Sequence, residues 1–125
     1  MPKIPTQSRA VSLFTAREIR TLLTLVRSVY YHSKLVVKAA LKAGISSKIL
    51  IVTPKRMGSA PSRNLMKRRL KSLFYQEKHF QNQFDLVVYC KKGSELITYV
   101  ELTEIIKNAL NEAQRKLLKH SNQSV

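Results

Sequence analysis

A block of basic side chains in the middle of the chain has the residue types and the spacing to bind phosphate groups. Its members are Lys55, Arg56, Arg63, Asn64, Lys67, Arg68 and Lys71. Arginine offers a planar fork of donors to a phosphate, lysine offers a point charge, and asparagine both donates and accepts hydrogen bonds. On a helix, like charges four residues apart repel one another unless a polyanion lies against them. The block therefore predicts a phosphate-binding ridge, and the alternative is a solvated helix face.

The charge of the whole chain favours a polyanionic partner. Its 125 residues include 23 Lys and Arg against 7 Asp and Glu, a formal net charge of +16. No acidic residue stands between Glu18 and Glu77, whereas 13 of the 23 basic residues lie in that interval. An anionic partner relieves the self-repulsion of such a surface. Nucleic acid and an anionic membrane are the usual partners of this kind.

The apolar segments of the sequence argue against a membrane. None approaches the length of about 20 residues that spans a bilayer. The first residues, MPKIPTQSRA, lack the apolar core of a signal peptide. We therefore expect a cytoplasmic protein that binds nucleic acid and no membrane.

The sequence offers no catalytic or metal-binding constellation. His32, His79 and His120 are far apart and lack the close partners of a zinc motif. Asp85 is the only aspartate, so a carboxylate cluster for two-metal hydrolysis is unsupported. The single cysteine, Cys90, ends an apolar run, where a buried thiol acts as a small hydrophobe. We expect no catalytic residue and no metal ion held by protein side chains.

Three helices are predicted from capping patterns and apolar periodicity. Thr15 and Glu18 have the spacing of a capping box, and the apolar residues that follow predict a first helix over residues 16–29. The basic block predicts a second helix over residues 62–75. Its core face is predicted to consist of Met66, Leu70, Leu73 and Phe74. A second capping pattern begins at Thr98 and predicts a C-terminal helix with an apolar stripe as far as Leu117.

Strands are predicted where β-branched and apolar residues cluster between turn residues. The segments are 34–41, 48–53 and 84–90, with a weaker pattern at 10–14. Residues 84–90 have the apolar run typical of a central strand. The order helix, two strands, helix, strand, helix predicts a single α+β domain, built as an α/β sandwich. We expect this RNA- or DNA-binding domain to span 10–119, between a flexible basic arm (1–9) and a frayed tail (120–125).

The basic block resembles a motif of the protein subunit of bacterial ribonuclease P. After a strand, that family carries Lys-Lys/Arg-Val/Ile-Gly-x-Ala-Val-x-Arg-Asn-Arg-Ile/Val-Lys-Arg. Here the stretch reads Lys55-Arg56-Met57-Gly58-Ser59-Ala60-Pro61-Ser62-Arg63-Asn64-Leu65-Met66-Lys67-Arg68. The later strand from Asp85, with its basic end before Gly93, is also similar to the family. Leu65 departs from the third residue of the Arg-Asn-Arg motif, and Ile19 stands where the family's first helix usually has Phe.

The resemblance implies a fold and a task. The fold is a small four-stranded sheet with three helices and a left-handed βαβ crossover, shared with a domain of a small-subunit ribosomal protein. The task is to help a catalytic RNA, whose Mg²⁺ ions are held by the RNA, remove 5′ leaders from precursor tRNA. By this resemblance the polypeptide is a noncatalytic subunit of an endoribonuclease. The seven residues of the basic block would contact the catalytic RNA.

The resemblance also implies a leader-binding cleft between the first helix and the sheet. Its candidate residues are Ile19, Leu23, Tyr30 and Tyr31. We expect the protein itself to be monomeric. A ribosomal-RNA-binding protein of similar fold remains the alternative, while a helix-turn-helix DNA binder and an autonomous nuclease fit the sequence less well.

Overall fold

Three helices and four strands follow one another along the chain. The structure, a computed structural model, describes residues 14–118, without the side chain of Phe80. The helices are α1 (Ala16–Leu25), α2 (Ala60–Gln76) and α3 (Tyr99–Ala113). The strands are β1 (Arg27–Tyr31), β2 (Leu35–Leu41), β3 (Ile49–Val52) and β4 (Phe84–Cys90). The predicted arm, the predicted tail and all but Phe14 of the predicted strand at 10–14 lie outside the described residues.

The four strands form one mixed sheet in the order β1-β2-β4-β3. β2 pairs antiparallel with both β1 and β4, while β3 and β4 are parallel neighbours. β4 is therefore a central strand, as predicted, and nearly all of its residues are buried. Parallel neighbours need a crossover connection, and α2 supplies it. The left-handed sense of that crossover stays a prediction.

Helices cover both faces of the sheet, which confirms the predicted sandwich. On one face, α2 and α3 pack against the larger core, which includes Leu35, Val37 and Leu86. On the other face, α1 packs through Leu22 against a smaller cluster that includes Ala40. Alternate strand residues point to opposite faces, so each central strand contributes to both cores. The larger core holds α2 in place, whereas α1 is attached by few buried side chains.

The first helix is shorter than its periodicity predicts. α1 ends at Leu25, Val26 takes an extended backbone conformation, and residues 27–31 form β1. The prediction of a helix through Val29 was wrong. The spacing of Leu22, Val26 and Val29 suggests one stripe, but Leu22 and Val26 lie in the smaller core and Val29 lies in the larger one. Pairing with β2 overrides the local helical pattern, because the strand gains a hydrogen-bonded partner that sequence periodicity does not reveal.

The other two helices agree more closely with prediction. The four predicted core residues of α2 are all fully buried. α2 begins two residues earlier than predicted, because Ser59 caps it by accepting a hydrogen bond from the Ser62 N–H. α3 ends at Ala113, and a π-helical turn follows in which Leu117 packs on the core. Within residues 14–118, no helix is long and apolar enough to cross a membrane.

Arg69 joins α2 to the loop that precedes α3. Its Nη1 donates hydrogen bonds to the carbonyl oxygens of Glu95 and Ile97, at 3.0 and 3.3 Å. Arg68, the next residue back, is exposed. Successive residues of a helix are rotated by about 100° about its axis, so Arg68 and Arg69 point to different environments.

Arg69→Ala should lower the free energy of unfolding by about 2 kcal/mol, because two charge-assisted hydrogen bonds are lost and two carbonyl groups lose their donor. Arg68→Ala is the matched control and should change it by less than about 0.5 kcal/mol. Urea denaturation followed by circular dichroism measures both. Equal effects of the two substitutions would show that Arg69 does not anchor the loop.

Candidate nucleic-acid interface

Four of the five basic residues of α2, together with Asn64, lie along one side of the helix, and Arg69 points elsewhere. At about 100° per residue, positions 67, 71, 64 and 68 occupy a continuous arc beside and opposite the core face, and position 63 lies at the seam with that face. Asn64 and Arg68 are exposed, while Arg63, Lys67 and Lys71 are half-buried. Partial burial of Lys67 and Lys71 is consistent with aliphatic stems that lie on the helix surface while the ammonium groups reach solvent. The Nε of Arg63, by contrast, is buried and has no hydrogen-bond partner among the described residues. We call these five residues the α2 ridge.

No carboxylate neutralises the α2 ridge within the described part of the chain. The ion pairs there join His32 with Glu101, Lys48 with Glu18, Lys107 with Glu77 and Arg115 with Glu112. None of them includes a ridge residue. A helix surface with several cations and no counter-charge is suited to a partner that brings its own negative charge.

Leu65 lies on the opposite flank of α2 from Lys67 and Lys71. It is half-buried, one turn before Arg69, on the side of the helix that faces the loop at residues 94–97. The replacement of the third motif residue by leucine therefore leaves the α2 ridge continuous. It places an apolar side chain beside the loop that Arg69 anchors.

A second basic surface lies where β3 and β4 end. Parallel strands present their carboxyl ends at the same edge of a sheet, and Val52 pairs with Tyr89 there. A groove of about 690 Å³ at this edge is lined by Arg56, Lys91 and Lys92 among other residues. Lys55 and Arg56 stand in the turn between β3 and α2, both exposed. This edge joins the first two residues of the basic block to the start of the α2 ridge.

Sequence reasoning did not select Lys91 and Lys92 as site residues. They lie more than thirty positions along the chain from Arg56. Only the parallel pairing of β3 with β4 brings the three together. The pair of lysines directly after the clearest strand was the available indication, since the carboxyl ends of parallel strands are common binding sites.

The structure brings only part of the predicted leader cleft together. Ile19 is half-buried, Leu23 is 44% exposed, and both lie on the same side of α1. Tyr31 pairs with Val36 and is 72% exposed on the sheet face that α1 partly covers. Tyr30 pairs with Val37 and packs against the larger core on the opposite face. The predicted grouping of Tyr30 with the cleft residues therefore does not hold, because adjacent strand residues point to opposite faces.

The same open face of the sheet carries an aromatic and cationic pair. The Nζ of Lys38 lies over the ring of Tyr89, 5.1 Å from its centroid. Both side chains are half-buried. Aromatic rings beside cations are suited to stacked bases and their phosphates. The sequence did not single out Lys38 or Tyr89, because their proximity depends on the register between β2 and β4.

Within 14–118, no three His, Cys, Asp or Glu side chains are grouped so as to hold a metal ion. Burial raises the pKa of the Cys90 thiol to about 11, so it is a poor nucleophile at neutral pH. His79 is half-buried against the ring of Phe74, and burial lowers its pKa.

The fold and the two basic surfaces define a small α+β domain of the nucleic-acid-binding class. The sequence model of the ribonuclease P family matches residues 8–114. The chain belongs to this family. RNA binding and 5′ processing of tRNA are the role of the family, and membership implies an RNA partner.

Individual relatives agree with the family match. The ribonuclease P protein component of Geobacter sp. (strain M21) is 26% identical over 76 residues, which are 61% of this chain and 66% of that protein. The chain thus matches slightly less than two thirds of that relative's length.

The fold is that of solved ribonuclease P proteins. The Staphylococcus aureus protein superposes with a TM-score of 0.67 and 18% identity, over 83% of this chain and 95% of that one. The Thermotoga maritima protein gives a TM-score of 0.65 and 23% identity, over 79% of this chain and 94% of that one.

Lys67→Ala and Arg68→Ala should each weaken RNA binding and reduce the slope of log affinity against log salt by about one unit, if each side chain meets one phosphate. Lys107→Ala on α3 is the control, because Lys107 already pairs with Glu77 at 3.9 Å. Filter binding over a range of salt concentrations measures the slope. A slope unchanged in both ridge variants would mean that these side chains face solvent in the complex.

Proposed function

We propose that this chain is the protein component of a ribonuclease P ribonucleoprotein and binds its catalytic RNA. The observation that carries the proposal is the α2 ridge, a helix surface with several cations and no carboxylate partner within the described residues. Lys55, Arg56 and the α2 ridge would contact phosphates of the catalytic RNA. Lys91 and Lys92 extend the same surface at the carboxyl ends of β3 and β4.

In this proposal the catalytic RNA carries out the cleavage reaction. Mg²⁺ ions held mainly by the catalytic RNA would activate water and stabilise the leaving group. The polypeptide would lower the repulsion between two polyanions, the catalytic RNA and the precursor tRNA. Such screening matters most when Mg²⁺ is scarce, because fewer ions are then available to neutralise phosphates.

The second proposed role is to bind the 5′ leader of the precursor tRNA. Ile19 and Leu23 would form apolar walls of the cleft beside α1, and Tyr31 is an exposed aromatic on the same sheet face. Unpaired bases stack on exposed aromatic rings, and this contact tolerates different sequences. Mature tRNA lacks the leader, so binding of the leader would raise the affinity for the precursor relative to the product.

The proposal extends to the organisation of the molecule. Residues 10–119 would act as one RNA-binding domain and the protein would be monomeric, with one copy bound to each catalytic RNA. It would work in the cytoplasm, where precursor tRNA is made.

Adding the protein to a bacterial ribonuclease P RNA at low Mg²⁺ should accelerate precursor tRNA cleavage over RNA alone, by about tenfold or more if the complex gains 1.4 kcal/mol or more of binding free energy. Arg68→Ala should reduce the acceleration, and Lys107→Ala should not. Gel analysis of a 5′-labelled precursor measures the rate. Cleavage no faster than with RNA alone, together with co-purification of the protein with ribosomes, would instead favour a ribosomal-RNA-binding protein.

Tyr31→Ala should reduce the preference for precursor over mature tRNA about fivefold or more, because stacking contributes about 1–3 kcal/mol per base. Tyr99→Ala is the control, since Tyr99 is partly exposed on α3 and donates a hydrogen bond to Gln76. Competition binding of the reconstituted complex with the two tRNA forms measures the preference. An unchanged preference in Tyr31→Ala would remove Tyr31 from the leader site.

A further inference from the structure

A small cavity lies on the side of α1 away from the leader cleft. It measures about 190 Å³ and is lined by α1, the end of β2, the loop after it and the start of β4. Its apolar walls include Phe14, Leu22 and Leu41, while Ile19 and Leu23 do not line it. A cavity of about 150 Å³ accommodates a benzene ring, and pockets for drug-sized molecules begin near about 300 Å³. The cavity therefore suits a single planar ring system.

Asp85 gives the cavity a buried hydrogen-bond acceptor. The residue is 5% exposed, points to the α1 side of the sheet and lines the cavity. Its Oδ1 accepts the Lys48 N–H at 2.8 Å, whereas its Oδ2 lies 3.4 Å from the Ala43 nitrogen. Both contacts are backbone hydrogen bonds, the second of them long. A carboxylate has about four acceptor sites on its two oxygens, so each oxygen keeps capacity for a further donor. A ligand that donates hydrogen bonds could use it.

Lys48 forms part of the rim of the cavity. Its Nζ lies 3.3 Å from Oε2 of Glu18 and 5.4 Å from the centroid of the Phe14 ring. The Glu18 carboxylate is also tied to its own helix start through the Thr15 N–H, and these contacts lower its pKa. Glu18 is thus already partnered. Asp85, by contrast, has backbone N–H partners and no ion pair within residues 14–118, and Arg17 at the same rim has no ion pair there either.

We propose that this cavity binds one unpaired guanine base of the RNA partner, with the Asp85 carboxylate accepting hydrogen bonds from the guanine N1–H and 2-amino group. The inference rests on the proposed RNA-binding function and adds a base-selective site to it. Phe14, Leu22 and Leu41 enclose the ring, and Arg17 lies where the attached phosphate enters. The contact is separate from the leader cleft, because it uses the other side of α1.

The choice of guanine follows from the chemistry of the acceptor. Guanine presents two adjacent donors on its Watson–Crick edge, which match the two oxygens of a carboxylate. Adenine and cytosine each place a ring-nitrogen acceptor beside their amino group, and uracil flanks its one N–H with two carbonyl oxygens. Each of these edges would set a lone pair against the carboxylate. Proteins read unpaired bases on this edge, and a bidentate contact is worth about tenfold or more in discrimination.

The first test measures binding of short uridine oligonucleotides that carry one central guanosine, adenosine, cytidine or inosine. Fluorescence anisotropy at constant salt should give about tenfold tighter binding for guanosine than for adenosine or cytidine. Inosine should fall between them, because it keeps the N1–H and lacks the 2-amino group. Equal binding of the four oligonucleotides would overturn the proposal.

Two variants locate the preference in the cavity. Leu41→Trp fills the cavity from its 51% exposed rim and should abolish the preference. Leu96→Trp is the matched control, since Leu96 is 72% exposed and does not line the cavity, and it should retain the preference. Asp85→Asn should reduce the preference, with thermal unfolding to check that the protein still folds. A preference retained in Leu41→Trp would also overturn the proposal.

A ribonuclease footprinting experiment identifies which RNA supplies the guanine. A guanine-specific ribonuclease applied to the reconstituted complex should spare one unpaired guanine in the precursor leader or in the catalytic RNA. That protection should be lost with Leu41→Trp and kept with Leu96→Trp. If no guanine shows such Leu41-dependent protection while cleavage at low Mg²⁺ is still accelerated, the base pocket is rejected and the proposed function stands. Loss of the acceleration in the unaltered protein would count against the function itself.

Discussion

The parallel pairing of β3 with β4 is the constraint on which the rest of the structure depends. Because the strands run the same way, the chain must return across the sheet between them, and α2 makes that return. The fully buried side of α2 fixes the rotation of the helix. Its cations are thereby forced to the outer side, next to the carboxyl ends of both strands. One pairing thus produces both the α2 ridge and the groove with Arg56, Lys91 and Lys92.

The distribution of charge makes this surface suited to a polyanion. Four of the seven acidic residues in the described part of the chain form ion pairs with residues outside the α2 ridge, as in the pairs of Glu18 with Lys48 and Glu112 with Arg115. The α2 ridge has no such partner among residues 14–118. Bringing four cations together on one side of a helix is unfavourable in isolation, and binding to phosphate removes the repulsion. The fold tolerates the ridge because its core faces, which are apolar, supply the stability.

α1 divides the opposite face of the sheet into two regions of different chemistry. On one side of the helix lie Ile19 and Leu23, and Tyr31 is exposed on the same sheet face, which suits the proposed stacking without base selection. On the other side the cavity with Asp85 is small and contains a hydrogen-bond acceptor, which is suited to selection of a base. α1 is attached mainly through Leu22, so these two sites depend on few buried contacts. The α2 ridge, by contrast, rests on the larger core.

The sequence by itself determined the features that depend on local pattern. These are the capping of α1 by Thr15, the central place of β4, the core face of α2 and the concentration of positive charge. Tertiary structure decided the features that depend on strand pairing. β1 formed where helical spacing predicted a continued helix, Tyr30 and Tyr31 went to opposite faces, and Lys91 and Lys92 joined Arg56. Local periodicity records which side of an element is apolar, whereas a strand's neighbours and register are set by hydrogen bonds to residues far away in the chain.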